Sequence, residues 1–215
     1  MGDPGQPTAQ VPGTYVYDYT ASSGSDTQSG ALNEKVSTTS TSGGVTKQTV
    51  VDSGNASLAQ NRLVEWRPAG YFETQRTFMF NGQTAQCTWN PAIQELASPL
   101  AVGKQWVLSG TCQVTIYGQA LTVKLNGKAS VTKKERLKVG ADSVNVWVIV
   151  GSYDAVASSP TIGTFTIHDD STDRVAARLG LLVESDAAET VSTGSSAPAR
   201  NAKTHEAVRS IHPAP

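Results

Sequence analysis

The stretch that decides the fold is QWVLSGTCQVTIYGQALTVKLNGKASV, residues 105–131. Large apolar side chains recur at every second position on either side of YGQA (117–120), and this two-residue period predicts two β-strands. The apolar face comprises Trp106, Leu108, Cys112, Val114, Ile116, Leu121, Val123, Leu125, Ala129 and Val131. Because the connection between the strands is short, they are predicted to pair as an antiparallel hairpin.

The same alternation extends along the chain. Tyr15, Tyr17 and Tyr19 share one strand face, and Asn81-Gly82 is a strong hairpin-turn signal. Leu181 to Ser185 is predicted to be the closing strand, after a turn at 178–180. With roughly ten strands and short connections, the sequence predicts an all-β antiparallel meander that forms a strongly curved sheet, a half-barrel or an open barrel.

The domain organisation follows from where this alternation begins and ends. Residues 1–13 are rich in Pro and Gly and are predicted to be a disordered lead-in. Residues 14–190 form a single β domain in this interpretation. Residues 191–215 lack a periodic apolar pattern and are predicted to be a disordered tail or a linker.

Composition and charge exclude several classes of function. The 215-residue chain has a formal net charge of -1 and only 16% charged residues, which argues against nucleic acid or an anionic membrane as a partner. No apolar run is long enough for a transmembrane helix. The polar start resembles a mature, processed protein, so we expect membrane association only through an N-terminal signal or lipid anchor that has been removed.

Two cysteines, Cys87 and Cys112, lie on strand faces that are otherwise apolar. An even, low cysteine count in a chain rich in Ser and Thr favours one structural disulfide formed in an oxidising compartment. The alternative is a pair of buried free thiols.

Gly103-Lys104 is the one hint of a phosphate-binding loop. A P-loop requires a partner glycine five residues earlier, a hydroxyl residue after the lysine and a helix after the loop. Here position 98 is Ser98, Gln105 follows the lysine, and a strand comes next. We therefore interpret Gly103 as a turn residue and predict no nucleotide cofactor.

The stretches SPLAVGKQW (98–106) and STDRVAARLGLLVES (171–185) resemble motifs of exported bacterial β-half-barrel proteins of unknown function, many of them lipoproteins. The resemblance covers about residues 12–190, although Val175 replaces the aromatic residue that the second motif has in those proteins. The composition also resembles that of secreted actinobacterial proteins. The resemblance implies a curved β fold and an export route, and it implies no catalytic residue.

Few residues are candidates for catalysis. His168 stands beside Asp169, Asp170 and Asp173, but this cluster lacks the ligand order of a calcium loop and is interpreted as a solvated turn, so no metal is predicted. A low-ranked alternative is a hydrolase. It depends on Asp18, Glu65, Glu73 and Asp154 converging in space, and nothing in the sequence selects them.

Aromatic residues are the remaining candidates for a binding site. They are Trp66, Phe72, Phe78, Phe80, Trp89, Trp106 and Trp147. In a closed sheet they would form the core, whereas in a half-barrel their concave face would hold a hydrophobic, lipid-like ligand.

We therefore predict a non-enzymatic binding or interaction domain of the cell envelope, secreted or otherwise extracytoplasmic, without cofactors. Its partner is expected to be a protein or an apolar small molecule. A carrier or sensor of a hydrophobic ligand is the main alternative.

Overall fold

The structure is a computed structural model that describes residues 5–54, 59–80, 83–116, 118–159, 163–193 and 199–214. Within these residues the chain forms twelve β-strands and one short 3₁₀ helix. The strands are β1 (Gly13–Ser23), β2 (Asp26–Ser42), β3 (Val45–Ser53), β4 (Gln60–Arg67), β5 (Gly70–Phe80), β6 (Gln83–Ala97), β7 (Gln105–Ile116), β8 (Gln119–Val139), β9 (Asp142–Ser159), β10 (Gly163–Ala176), β11 (Leu181–Thr193) and β12 (Arg200–Val208), and the 3₁₀ helix is Ala177–Leu179. No helix in this described part has the length and apolarity needed to cross a membrane.

The strands form a closed antiparallel barrel. Each strand lies beside the strand that precedes it and the strand that follows it in sequence, and β12 returns to pair with β1. Tyr17 lies opposite Val208 in the closing pair, and Ser23 lies opposite Ala202. The predicted all-β antiparallel meander is therefore confirmed, and the barrel has no free sheet edge in its strand order.

The prediction of a half-barrel with roughly ten strands is wrong, and so is the disorder predicted for much of residues 191–215. Arg200–Val208 forms the twelfth strand, which closes the ring between β11 and β1. Its less exposed positions alternate as Ala202, Thr204, Glu206 and Val208. Because most of these side chains are small or polar, the strand carries no apolar stripe that sequence periodicity can detect.

The N-terminal residues also differ from the predicted lead-in. Residues 5–12, here called the strap, run across one end of the barrel. The Leu100 amide donates to the Gly5 carbonyl at 2.6 Å, and the Thr8 amide donates to the Ala177 carbonyl at 3.0 Å. Gly180 has φ +60°, and a Cβ at this position would collide with the Thr8 carbonyl. The predicted turn at 178–180 thus also makes room for the strap.

The apolar residues form three buried clusters inside the barrel. One is centred on Tyr15 and Tyr17, one on Trp66 and Trp106, and one on the two cysteines. Alternate positions along most strands supply these clusters, as the two-residue period requires, whereas β9 contributes the neighbouring residues Val146 and Trp147.

One joint of the barrel is unusual. Between β6 and β7 the described residues show a single register pair, Asn90 with Thr111. The Cys87–Cys112 disulfide crosses this joint, with a Cα–Cα distance of 5.4 Å. Further along, the indole N–H of Trp106 donates to the Gln94 carbonyl at 3.0 Å. Side chains and the disulfide therefore hold these two strands together where a backbone ladder is nearly absent.

Candidate functional site: a charged cavity in the lumen

The barrel interior contains charged side chains as well as an apolar core. Side chains just fill a barrel of about eight strands, so a ring of twelve encloses more space than aliphatic residues can occupy. Glu34 lies between two buried apolar positions of β2, and Asp52 and Glu73 are also buried. Since successive side chains point to opposite faces, these carboxylates are directed into the lumen.

The first half of the charged cluster is centred on Arg62 of β4. Its Nη2 lies 2.9 Å from Glu34 Oε2 and 3.1 Å from Asp52 Oδ2. Gln10 of the strap donates to Glu34 Oε1 at 2.8 Å, and Gln60 donates to Asp52 Oδ2 at 2.8 Å. Each carboxylate therefore accepts from both the guanidinium and a side-chain amide, as buried ions require.

The second half is centred on Glu73 of β5, whose side chain is 1% exposed. Arg76 holds it through two parallel bonds, from Nε to Oε1 at 2.9 Å and from Nη2 to Oε2 at 2.6 Å. The indole N–H of Trp89 donates to Oε1 at 2.8 Å. This bidentate geometry is the strongest form of an arginine–carboxylate pair.

The two arginines are direct cross-strand neighbours, because Arg62 lies opposite Arg76 in the β4–β5 ladder. Like charges directly opposite each other destabilise a sheet. Here the carboxylates of the two halves flank the guanidiniums, and Glu95 of β6 and Asp173 of β10 line the same space. The lumen therefore contains one continuous charged cluster rather than separate surface pairs.

Two cavities lie beside this cluster. One has a volume of about 180 Å³, and the other of about 210 Å³. Both are lined by Glu34, Arg62 and Leu182. Together their walls carry two guanidiniums, Arg62 and Arg76, and six carboxyl groups: Glu34, Asp52, Glu73, Glu95, Asp173 and Glu206. Acidic groups thus outnumber basic groups around the cavities.

Two polar groups at the smaller cavity lack a partner. Within the described residues, the Glu95 carboxylate has neither a hydrogen bond nor a salt bridge, although it lines the cavity. The Nε of Arg62 is also buried without a hydrogen-bond partner. Buried polar groups are normally satisfied, so the Arg62 Nε marks a point where an acceptor would fit, and Glu95 presents a partly buried carboxylate to the same cavity.

The pKa values reflect the excess of acid. Burial, together with the Glu73 charge, raises the pKa of Glu95 to about 7, against the opposing effect of Arg76. Burial also raises the pKa of Glu34, Asp173 and Glu206 above the usual range. Burial acts in the same direction on Glu73, but Arg76 outweighs it and the pKa of Glu73 is lowered. Several of these carboxyls therefore take up protons more readily than exposed ones.

The aromatic residues proposed from the sequence do not form one open face. Trp66 donates to Gln48 Oε1 at 2.7 Å and packs in the core, as Trp106 does. Phe78 and Trp89 pack partly buried against the disulfide cluster. Trp147 lies in the same core cluster as Trp66, and the Phe80 side chain lies outside the described residues.

Phe72 and Phe78 are an even number of residues apart, so strict alternation predicts that they share one strand face, but they do not. The β5 register shifts between Glu73 and Gln75, so positions before and after this bulge have opposite parity. Before the bulge, Glu73 is buried in the lumen, and Phe72 instead packs its ring 4.5 Å from the Arg67 guanidinium carbon.

The carboxylates considered for a hydrolase lie apart. Glu73 is inside the lumen, whereas Asp18 bonds Arg209, and Glu65 bonds Lys47 and Arg67. Asp154 bonds His168 Nδ1 at 2.8 Å.

His168 is placed within β10 rather than in a turn, which corrects the interpretation of residues 168–173. A second group, Glu184, Asp186 and His205, has ligand atoms within 4.8 Å of one another. Arg174 already occupies that group, with salt bridges to both carboxylates.

The two cysteines form the disulfide expected from their faces. The lumen cluster, in contrast, was missed: of its members, sequence reasoning singled out only Glu73 and Asp173, neither of them for this role. The available signal was the occurrence of charged residues at inward-facing parity positions, such as Glu34 between Leu32 and Val36.

No family model matches the chain, and no curated protein matches its sequence. Among solved structures, the chain is similar to the hypothetical lipoprotein YmcC from Escherichia coli (K12). The identity is 10% and the TM-score is 0.41, over 95% of this chain and 86% of that chain. A TM-score this low supports no inference about this protein.

Proposed function

We propose that this protein is a non-enzymatic binding module of the extracytoplasmic cell envelope that takes a small organic cation into the barrel lumen. The observation that carries the proposal is the unpaired Glu95 carboxylate, which lines a cavity of about 180 Å³ where acidic groups outnumber basic ones. An ammonium group placed there would pair with Glu95 and offset the excess negative charge.

The size and chemistry of the cavity limit the ligand. About 180 Å³ is less than the volume of a typical drug-sized site, so the ligand is small. An acceptor oxygen on the ligand would also satisfy the buried Nε of Arg62. A short amino alcohol combines both features, and ethanolamine is therefore the first probe.

The extracytoplasmic location rests on the Cys87–Cys112 disulfide. Disulfides persist in oxidising compartments and are rare in the cytosol. An N-terminal anchor, as in the exported proteins that the sequence motifs resemble, would bring the barrel to the envelope without a membrane-spanning helix.

The strap provides the route to the cavity. Gln10 lines the cavity, bonds Glu34 through its side chain, and accepts from Gln48 Nε2 at 2.7 Å through its carbonyl. The strap belongs to none of the described strands, and segments outside the ladders open at a lower free-energy cost than the ladders of the barrel. Movement of the strap would therefore admit a ligand while the barrel stays closed.

The test measures thermal unfolding and calorimetric binding with ethanolamine, putrescine and, as the opposite charge, acetate. A ligand at 100 times its Kd stabilises the fold by about 2.7 kcal/mol, which raises the Tm by about 5–11 °C for a chain of this length. We expect the amines to bind and acetate not to bind. Binding should tighten between pH 6 and pH 8, because Glu95 must lose its proton.

Two variants separate this site from general charge effects. Glu95→Gln is expected to weaken amine binding by about 10–100-fold, the range for a charge-assisted hydrogen bond. Asp26→Asn removes an exposed carboxylate from the β1–β2 hairpin and is expected to leave binding unchanged. Equal binding of acetate and amines, or equal effects of the two variants, would rule out the luminal cation site.

A further inference from the structure

A third cavity, of about 630 Å³, lies away from the lumen cluster and shares no lining residue with the two luminal cavities. It is formed by β8, β9, the end of β10, the 3₁₀ helix and the segment after β12. We call it the basic groove. Its apolar wall includes Val144, Val146, Ala176, Leu179 and Ile211. Lys134, Asn145 and Arg178 are exposed at its edge, so the groove reaches solvent.

The charge at the edge of the groove is positive. Lys134 Nζ stands 3.8 Å from the ring centroid of Trp147, and Arg178 adds a guanidinium. Among the described residues, Glu135 is the only acidic one that lines the groove. It is already held by Lys133 at 2.8 Å and by Arg174 at 2.9 Å. Lys134 itself forms no salt bridge within the described residues.

We infer that the basic groove binds a single-chain anionic amphiphile, with its alkyl chain along the apolar wall and its carboxylate on Lys134. A volume of about 630 Å³ falls within the range of small-molecule sites. The indole face of Trp147 attracts the exposed Lys134 ammonium, which therefore presents a positive charge to an anion that enters the groove. The groove thus offers an apolar wall for a hydrophobic ligand of the kind considered from the sequence. Of the aromatic residues proposed for that ligand, Trp147 alone is among the described residues that line the groove.

The groove and the luminal cation site are independent, because their ligands have opposite charge and the two sites share no lining residue. The expected ligand of the groove is a monomeric amphiphile rather than a membrane surface. An apolar wall should make affinity increase with chain length, by about fourfold for each added methylene.

The experiment uses the full chain with octanoate, decanoate and dodecanoate below their micelle concentrations, measured by calorimetry and native mass spectrometry. Dodecyltrimethylammonium serves as the cationic probe with the same chain length. Lys134→Gln is expected to weaken carboxylate binding by about two- to fivefold, since it removes the exposed charge that faces the carboxylate and such a pair contributes up to about 1 kcal/mol. Lys138→Gln, which removes an exposed lysine of the same strand outside the groove, is the matched control.

Support consists of one-to-one carboxylate binding that rises with chain length, weakens with Lys134→Gln and is unchanged by Lys138→Gln and Glu95→Gln. Equal binding of the cationic amphiphile, or equal effects of the two lysine variants, would overturn the inference. Cosedimentation with vesicles of phosphatidylcholine and phosphatidylglycerol, without binding of monomeric carboxylates, would overturn it in favour of a membrane contact. Loss of amine binding alone would leave the groove assignment intact and refute only the luminal site.

Discussion

Replacing Glu73 by glutamine removes the charge at the centre of the lumen cluster. The side chain is 1% exposed and accepts two bonds from Arg76 and one from Trp89. The isosteric amide keeps the volume but leaves the Arg76 guanidinium without its bidentate partner. Removing one member of a fully buried ion pair costs about 3–5 kcal/mol. Because the Arg76 side chain is 35% exposed, water screens part of this loss, and we expect about 2–3 kcal/mol. For a chain of 215 residues this corresponds to a Tm lower by about 4–12 °C.

The assay is urea unfolding at pH 7, followed by tryptophan fluorescence. Glu65→Gln is the matched control, because Glu65 pairs with Lys47 and Arg67 on the partly exposed outer face. Surface pairs contribute about 0–1 kcal/mol, so this control should lose little stability. Equal losses for Glu73→Gln and Glu65→Gln would refute the reasoning, since they would mean that water screens the lumen as it screens the surface.

A double variant sharpens the test. Glu73→Gln with Arg76→Met removes both charges, so no uncompensated guanidinium remains in the lumen. Replacing a whole buried ion pair by apolar groups is often neutral or stabilising. We therefore expect the double variant to be more stable than Glu73→Gln alone. Stability no higher than that of the single variant would show that the destabilisation does not come from the buried charge of Arg76.

Three further predictions concern other parts of the fold. The pKa of Glu95 is raised to about 7, so between about pH 4.5 and 7 the folded state binds more protons than the unfolded state. The stability that Glu95 contributes therefore falls as pH rises through that window, by at most about 1.4 kcal/mol per pH unit. The measurement is the free energy of unfolding of the wild type and of Glu95→Gln over this pH range. We expect this free energy to depend less steeply on pH in the variant. Replacing Cys87 and Cys112 by serine opens a bridge with a sequence separation of 25 and should cost about 3–4 kcal/mol in chemical unfolding, and a loss below about 1 kcal/mol would contradict this. Gly180→Ala places a Cβ against the Thr8 carbonyl at a residue with a left-handed backbone conformation. We therefore expect the free energy of unfolding to fall by about 1–3 kcal/mol and proteolysis of the strap to become faster. An unchanged cleavage rate would show that this contact does not hold the strap.

Sequence periodicity predicted most strands because their inward faces are apolar. Tyr15, Tyr17 and Tyr19 are all buried, and the hairpin of residues 105–131 is formed by β7 and β8. Each of these patterns is local, since it depends only on alternation along one strand. Local alternation is also why the pairing of Cys87 with Cys112 could be anticipated.

Closure of the barrel and the charged lumen depend on contacts between distant strands. β12 carries Ala202, Thr204 and Glu206 at its less exposed positions, so nothing within the strand distinguishes it from a polar tail. The β5 bulge likewise reverses parity between Phe72 and Phe78 without a glycine or proline to mark it. Charged residues at inward positions resemble surface residues until neighbouring strands supply their partners, as Asp52 of β3 does for Arg62 of β4.

The start of β1 meets the segment that follows β12. Thr14 and Ala214 exchange backbone hydrogen bonds at 2.8 and 2.9 Å. Backbone hydrogen bonds therefore join the first and last strands, which no hairpin connects. The β6–β7 joint is the reverse, with a continuous chain and a disulfide but only one register pair. These two joints, β12–β1 and β6–β7, divide the ring into two halves of six strands each, β1 to β6 and β7 to β12. A permuted gene that omits the strap, joins residue 214 to residue 13 and starts at another hairpin should encode the same ring of strands.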